Sequence, residues 1–184
     1  MEMKQVYIDS CSHDLFGAFW SLYGTSFPIF EQRTLALQKL AFDNGQQYRL
    51  LAFVEDDEFL GFISYWEFDA YCYVEHFAIS ATLRGKGYGS RVLEKFMADV
   101  GKMVLLEIDP ISDAVSEARW RFYKRCGFFK NPYQHKHPAY RVGYEPHSLV
   151  VLTTKSGITE SEYMEFSRDL GEVVMKGTPD VAEK

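Results

Sequence analysis

Residues 84–90 read Arg84-Gly85-Lys86-Gly87-Tyr88-Gly89-Ser90. An apolar, strand-like run precedes them at 73–79. A helical pattern follows, with Val92, Leu93, Phe96, Met97 and Val100 at i, i+1, i+4, i+5 and i+8. Three alternating glycines permit unusual dihedrals and let backbone N–H groups approach a ligand closely. A helix starting just behind them adds unpaired amides and the positive end of its dipole, a junction that suits phosphate. Arg84, Lys86 and Arg91 bring local positive charge. The spacing is neither the GxxxxGK(S/T) of a Walker A loop nor the GxGxxG of a dinucleotide fold. A nucleotide-binding module therefore lacks its usual pattern. The loop alone reads as a phosphate cradle or a plain glycine-rich turn into a helix.

Outward from the loop the element order is legible. Val6 and Ile8 alternate with polar neighbours as in a short strand. Leu15, Phe19, Leu22 and Tyr23 lie at helical spacing, Pro28 interrupts, and Leu37, Leu40 and Ala41 resume a helical face. Residues 48–54 and 59–68 form a hairpin around the acidic turn Glu55-Asp56-Asp57-Glu58. Residues 103–108 are almost wholly apolar, as in a buried strand. A second helix runs from about Ser116 to Cys126 and stops at Gly127. Another strand follows at 148–153. Thr159-Glu160-Ser161-Glu162 has the form of a capping box, with Phe166, Leu170 and Val173 behind it. The pattern predicts an α/β (α+β) chain with a mixed sheet of six to seven strands and helices on its faces. Residues 1–184 are expected to form a single domain, with 177–184 frayed.

Composition narrows the class. Of 184 residues 47% are hydrophobic, enough for a core, and the formal charge is −6. An acidic surface of this size does not suit nucleic acid. Cys11, Cys72 and Cys126 are too few and too scattered for a disulfide framework, and they point to reduced thiols. No apolar run is long enough to span a bilayer, and Lys4, Asp9 and Asp14 break any signal-like stretch. A cytoplasmic protein is expected. His135-Lys136-His137 and His147 lack the carboxylate or cysteine pattern that would complete a metal set. They are expected in a polar loop, and no metal is expected.

Three segments together carry a family resemblance. Arg84-x-x-Gly87-x-Gly89 matches the (Gln/Arg)-x-x-Gly-x-(Gly/Ala) signature of the GNAT superfamily of acyl-CoA N-acyltransferases. The preceding His76-Phe77-Ala78-Ile79 resembles the apolar strand which that family places before the loop. The later Ala118, then Phe122-Tyr123-Lys124-Arg125-Cys126-Gly127-Phe128, resembles its second signature. The resemblance covers about 73–128 and implies a mostly antiparallel sheet with a V-shaped split between two central parallel strands. Acyl-CoA lies in that split in the family. The resemblance implies that backbone groups of Phe77 and Ile79 pair with the pantetheine arm. The amides of Arg84, Gly85, Lys86, Gly87, Tyr88, Gly89 and Ser90 are implied to cradle the pyrophosphate. Ser116 stands where members often carry an Asn that contacts pantetheine.

The implied reaction moves an acetyl group from acetyl-CoA to an amine by direct attack in a ternary complex. An alkylamine, with a pKa near 10, is about one part in a thousand neutral at pH 7, so a base is needed. Glu75, on the strand feeding the loop, is the candidate. Simple alternation places Tyr73, Glu75 and Phe77 on one face and Val74 and His76 on the other. A bulge would bring in His76 instead, and water is a third route. The departing thiolate needs a proton, and Tyr123 occupies the family position for that acid. Two structural alternatives stand beside these roles: a salt-bridged Glu75 and a merely packed Tyr123. Phe27, Ile29 and Phe30 are candidates for an acceptor pocket or for core.

Two function classes follow from the resemblance: an acetyl-CoA-dependent N-acetyltransferase, or a non-catalytic acyl-CoA-binding sensor or interaction module. The expected partner is an amine-bearing small molecule or peptide, with no nucleic acid and no membrane. The residues at 148–153 and the helix behind Thr159 are where a homodimer could form. The sequence does not specify the acceptor.

Overall fold

Alternation builds the sheet. In β2 (Tyr48–Glu55), Leu50 and Ala52 enter one apolar cluster while Leu51 and Phe53 enter another. Period-two placement of apolar residues on both faces makes a strand buried from both sides. The computed structural model describes residues 3–178. The other strands are β1 (Lys4–Tyr7), β3 (Glu58–Glu67), β4 (Tyr71–Ile79), β5 (Met103–Ile108), β6 (Phe128–Lys130), β7 (His135–His137) and β8 (His147–Thr154). They run in the order β1-β2-β3-β4-β5-β8-β6, and β7 also pairs with β8. β4–β5 is a parallel pair and the other pairings are antiparallel. The mixed, mostly antiparallel sheet is the expected one. Residues 135–137, expected as a polar loop, are corrected to a strand. Alternation turns both histidines inward, where they are buried, and leaves Lys136 exposed.

Helices cover both faces. Phe16, Phe19 and Tyr23 of α1 (Phe16–Ser26) and Ala41 of α2 (Leu35–Asp43) pack on one side. Phe166 of α5 (Glu160–Asp169) and the π-helical turn Leu170–Val174 join them. Val92, Leu93 and Phe96 of α3 (Tyr88–Val100) pack on the other side, with Phe122 and Tyr123 of α4 (Ala114–Arg125) against that cluster. α4 starts at Asp113, whose carboxylate accepts from the Ser116 amide at 2.8 Å. α5 starts with the capping box expected at Thr159 and Glu162. Of the expected 177–184 tail, Gly177 and Thr178 belong to a turn in which the Thr178 amide bonds to the Met175 carbonyl. Residues 179–184, the rest of the tail expected to fray, lie outside the described residues.

The central pair separates partway along. β4 and β5 stay in register from Tyr71↔Met103 to Val74↔Leu106, and β4 then continues to Ile79 without that neighbour. At the same point the β3–β4 register slips, because Ser64 opposes His76 while Tyr65 opposes Val74. Glu75 is the extra residue of a β-bulge. A bulge bends its strand and re-aims its side chains, which accounts for the divergence.

Candidate active site

The split leaves backbone capacity unused. The Ser80 amide donates to the Leu60 carbonyl at 2.8 Å, which makes Gly61↔Ile79 a pair that exchanges no bonds directly. By alternation Ile63↔Phe77 is another. The N–H and C=O groups of Phe77 and Ile79 therefore face away from β3, toward the space that β5 has left. Arg84 Nε takes the Ile79 carbonyl at 3.0 Å, and Arg84 Nη2 donates to Ser26 Oγ at 3.1 Å. This arginine ties the loop to the end of β4.

Gly85 and Gly87 have φ of +76° and +84°, a region costly for residues with a Cβ. No atom lies within 4 Å of where either Cβ would stand, so the backbone is bare there. Among the described residues, the amides from Gly85 to Ser90 have no hydrogen-bond acceptor. Six donors converge at the start of α3 with its dipole behind them. Gly89 differs: a Cβ there would stand 3.4 Å from Phe122 Cζ, an ordinary contact between α3 and α4. Arg91 turns outward to Glu55 at 2.7 Å, and Lys86 stays exposed.

A cleft of about 980 Å³ occupies the split, large enough for an extended cofactor and a second substrate. Ile79, Arg84, Gly85, Gly89, Phe122 and Tyr123 line one part of it. Tyr123 packs edge-on against Phe128 and Phe122, and its hydroxyl has no hydrogen-bond partner among the described residues. Burial pushes its phenol up to about 12, so it stays protonated at neutral pH. Ser116 lies at the third position of α4 and is not among the cleft-lining residues. Its hydroxyl accepts from the Ser112 and Asp113 amides and faces the Asp113 carboxylate at 2.8 Å.

The bulge reassigns β4's faces. Glu75 and His76 now share the α1 side while Phe77 packs on the α3 side. The grouping of Glu75 with Phe77 opposite His76 is corrected, because one inserted residue inverts the alternation beyond it. Glu75 Oε1 accepts from Arg33 Nε at 3.0 Å, Arg33 Nη2 at 2.7 Å and Tyr140 Oη at 2.9 Å. Oε2 accepts from Trp66 Nε1 at 2.8 Å. Burial alone would raise this carboxyl. The Arg33 guanidinium, with His76 and these bonds, outweighs burial and holds it down to about 2. His76 is pushed down to about 4 by burial and is neutral, its Nε2 donating to the Glu31 carbonyl at 2.9 Å.

On the opposite wall, Phe27 and Phe30 were acceptor-pocket candidates from the sequence, whereas Glu31 was not. The 3-10 turn Ile29–Glu31 brings Phe30 and Glu31 to the cleft beside Phe27, while Ile29 stays exposed. Burial, then Asp109, raises the Glu31 carboxyl to about 7. His147 Nε2 stands 3.7 Å from Glu31 Oε1, and its buried Nδ1 has no partner. Behind them Glu107 accepts from Tyr73 Oη at 2.8 Å and pairs with His135. His137 Nδ1 donates to the Pro138 carbonyl at 2.7 Å. Arg141 fastens the loop after β7 to the carbonyls of Gln32 and Arg33. The alternating histidines at 135 and 137 were the available signal. Nothing local marks Arg33 or Tyr140, since neither belongs to a motif. Among the described residues no group of three or more His, Cys, Asp or Glu side chains could hold a metal ion.

Known proteins resemble this chain in sequence and fold. The family described as Acetyltransferase (GNAT) matches residues 13–128. YjbC of Bacillus subtilis (strain 168), named as a candidate acetyltransferase, is 30% identical over 126 residues. That stretch is 67% of this chain and 58% of the relative's length. Among solved structures, a candidate GNAT-family acetyltransferase from Bacteroides thetaiotaomicron has a TM-score of 0.87 at 27% identity. The match covers 94% of this chain and 98% of that one. A GNAT family acetyltransferase from Elizabethkingia anophelis, solved with acetyl-CoA bound, has a TM-score of 0.58 at 12% identity. It covers 84% of this chain and 98% of that one, a likeness of fold. No helix among the described residues is long and apolar enough to cross a membrane.

Proposed function

Because the chain belongs to the GNAT acetyltransferase family, we propose that it transfers an acetyl group from acetyl-CoA to an amine on a small molecule or peptide. The observation that carries this reading is the row of unpaired amides from Gly85 to Ser90, set beside the edge of β4 that β5 vacates. A diphosphate fits those amides, because anionic oxygens accept from clustered N–H groups. The free backbone groups of Phe77 and the Ile79 amide suit the pantetheine amides as a substitute strand. The cosubstrate supplies an activated thioester. The chain positions it and handles protons.

The amine attacks within a ternary complex from the side lined by Phe27, Phe30 and Glu31. Tyr123, on the α4 wall, gives its proton to the departing thiolate. Burial leaves it a weaker acid than a free phenol but keeps it in the donating form. Ser116 holds the start of α4, which carries Tyr123. Glu75 acts as an organiser and not as the direct base: a carboxylate held at about 2 and bonded on both oxygens has little pull on a proton.

The test is a panel of amines with acetyl-CoA, followed by free-thiol release, beside a thermal-shift titration with acetyl-CoA. Thiol release with an amine and a rise in Tm are expected. A rise in Tm with no turnover on any amine favours the sensor reading. No rise at millimolar acetyl-CoA overturns both.

A further inference from the structure

We infer that Glu31 and His147 together form the proton acceptor for the incoming amine, on the wall of the cleft opposite Tyr123. The inference rests on the acetyl-transfer reading and deepens it. Two distant segments meet here, the 3-10 turn before α2 and the first residue of β8. Both side chains line the cleft, with 3.7 Å between His147 Nε2 and Glu31 Oε1. His147 Nδ1 is buried without a partner. A buried polar atom left unmatched at a cavity wall is costly unless a ligand or water meets it. The Glu31 backbone is anchored at the bulge by His76 Nε2, so its place beside β4 is set by the sheet. Phe30 packs edge-on against His147, with ring centroids 5.5 Å apart.

The neighbours decide whether this pair can take a proton. Glu107 of β5 and Asp109 just past its end raise Glu31's affinity for a proton, while Arg119 on α4 lowers it. Asp109 is itself paired with Arg119. His147 faces His137 and His135 from β7, Glu107 from β5 and Asp109 just past its end. Burial and then His137 keep it toward its neutral form. Glu75 and His76 on β4 are held in their own bonds by Arg33, Trp66, Tyr140 and the Glu31 carbonyl. Among the carboxyls at the cleft, Glu31 is held near 7, where a base works best at neutral pH.

The proton count closes. An ammonium gives its first proton to the Glu31–His147 pair, which releases it to water through the cleft mouth. The neutral nitrogen attacks the thioester carbonyl carbon, the C–N bond forms and the C–S bond breaks. The thiolate takes a proton from Tyr123, and the nitrogen's second proton replaces it through water.

The test measures kcat at saturating amine across pH 5–9 for wild type, Glu31→Gln and His147→Gln, with the acetyl-CoA-induced Tm shift recorded for each. Wild type should show a limb rising through about pH 7. Glu31→Gln should lose that limb and about 100-fold or more in kcat, with the Tm shift kept. Should Glu31→Gln lose the shift, His147→Gln carries the same test. An active wild type whose limb and kcat survive in both variants overturns the base assignment alone. A wild type that releases no thiol with any amine overturns acetyl transfer, and this assignment with it.

Discussion

Arg33 Nη2 lies 2.7 Å from Glu75 Oε1, and the two side chains are only 2% and 1% exposed. The same Nη2 donates to the Val174 carbonyl at 2.7 Å, and the Arg33 amide donates to Tyr23 Oη at 2.7 Å. One buried ion pair thus joins α1, the turn after it, the bulge of β4 and the C-terminal π turn. Two charges in so dry a place hold only because each is met by several partners.

Arg33→Met strands that carboxylate. Removing one partner of a buried pair costs about 3–5 kcal/mol. Urea unfolding should show a loss of that size, and the double variant Arg33→Met with Glu75→Leu should recover much of it. A loss under about 1 kcal/mol in the single variant would contradict the burial described.

Gly87→Ala tests the loop apart from the core. Gly87 has φ of +84° and open space where a Cβ would stand. The backbone strain is about 1–2 kcal/mol, whereas the amides it displaces are those proposed to hold the diphosphate. Calorimetric titration should show acetyl-CoA affinity down about tenfold or more, with Tm in its absence lower by only a few degrees.

Tyr123→Phe keeps the ring against Phe128 and deletes the hydroxyl. Turnover should fall about 100-fold or more, and acetyl-CoA affinity should change by no more than a few-fold. Equal losses in both would make Tyr123 a packing residue.

Stability against pH separates two buried groups. Glu31 has its carboxyl raised from 4.5 to about 7. The folded chain therefore keeps a proton that the unfolded chain has released, and the stability this gives is lost as pH rises through 7. His76 is lowered from 6.5 to about 4, so its stability is present above 6.5 and is lost as pH falls toward 4. The two oppose each other between about pH 4.5 and 6.5. Glu31→Gln should stabilise the fold at pH 8 and so raise Tm, by well under the roughly 3 kcal/mol that full burial of the carboxyl would give. It should also expose a steady loss of stability as pH falls below 6.5. An unchanged Tm at pH 8 would mean that Glu31 ionises without cost.

Much of the fold was legible. Helical spacing marked α3 and α4, and apolar runs marked β2 to β5, because burial of a face writes a period into the chain. The glycine-rich turn was legible, since Gly85 and Gly87 occupy backbone states that favour glycine, although α3 begins at Tyr88, inside the stretch 84–90 read as loop. β6 and β7 were not legible, because three residues are too few to establish a period. The faces of Glu75 and His76 under simple alternation were misread together: a one-residue bulge leaves no mark in composition yet inverts the alternation beyond it.

The sequence by itself determined the sheet, its flanking helices and the glycine-rich turn before α3, because each depends on neighbours within about ten residues. Only the tertiary structure decided how strongly each acidic group lining the cleft holds its proton. Glu31 and Glu75 are the same residue type 44 positions apart. Glu31 is only partly buried and feels the charge of Asp109, whereas Glu75 is enclosed with Arg33. A carboxyl's affinity for a proton is set by the charges and solvent around it, and those are brought there by distant parts of the chain.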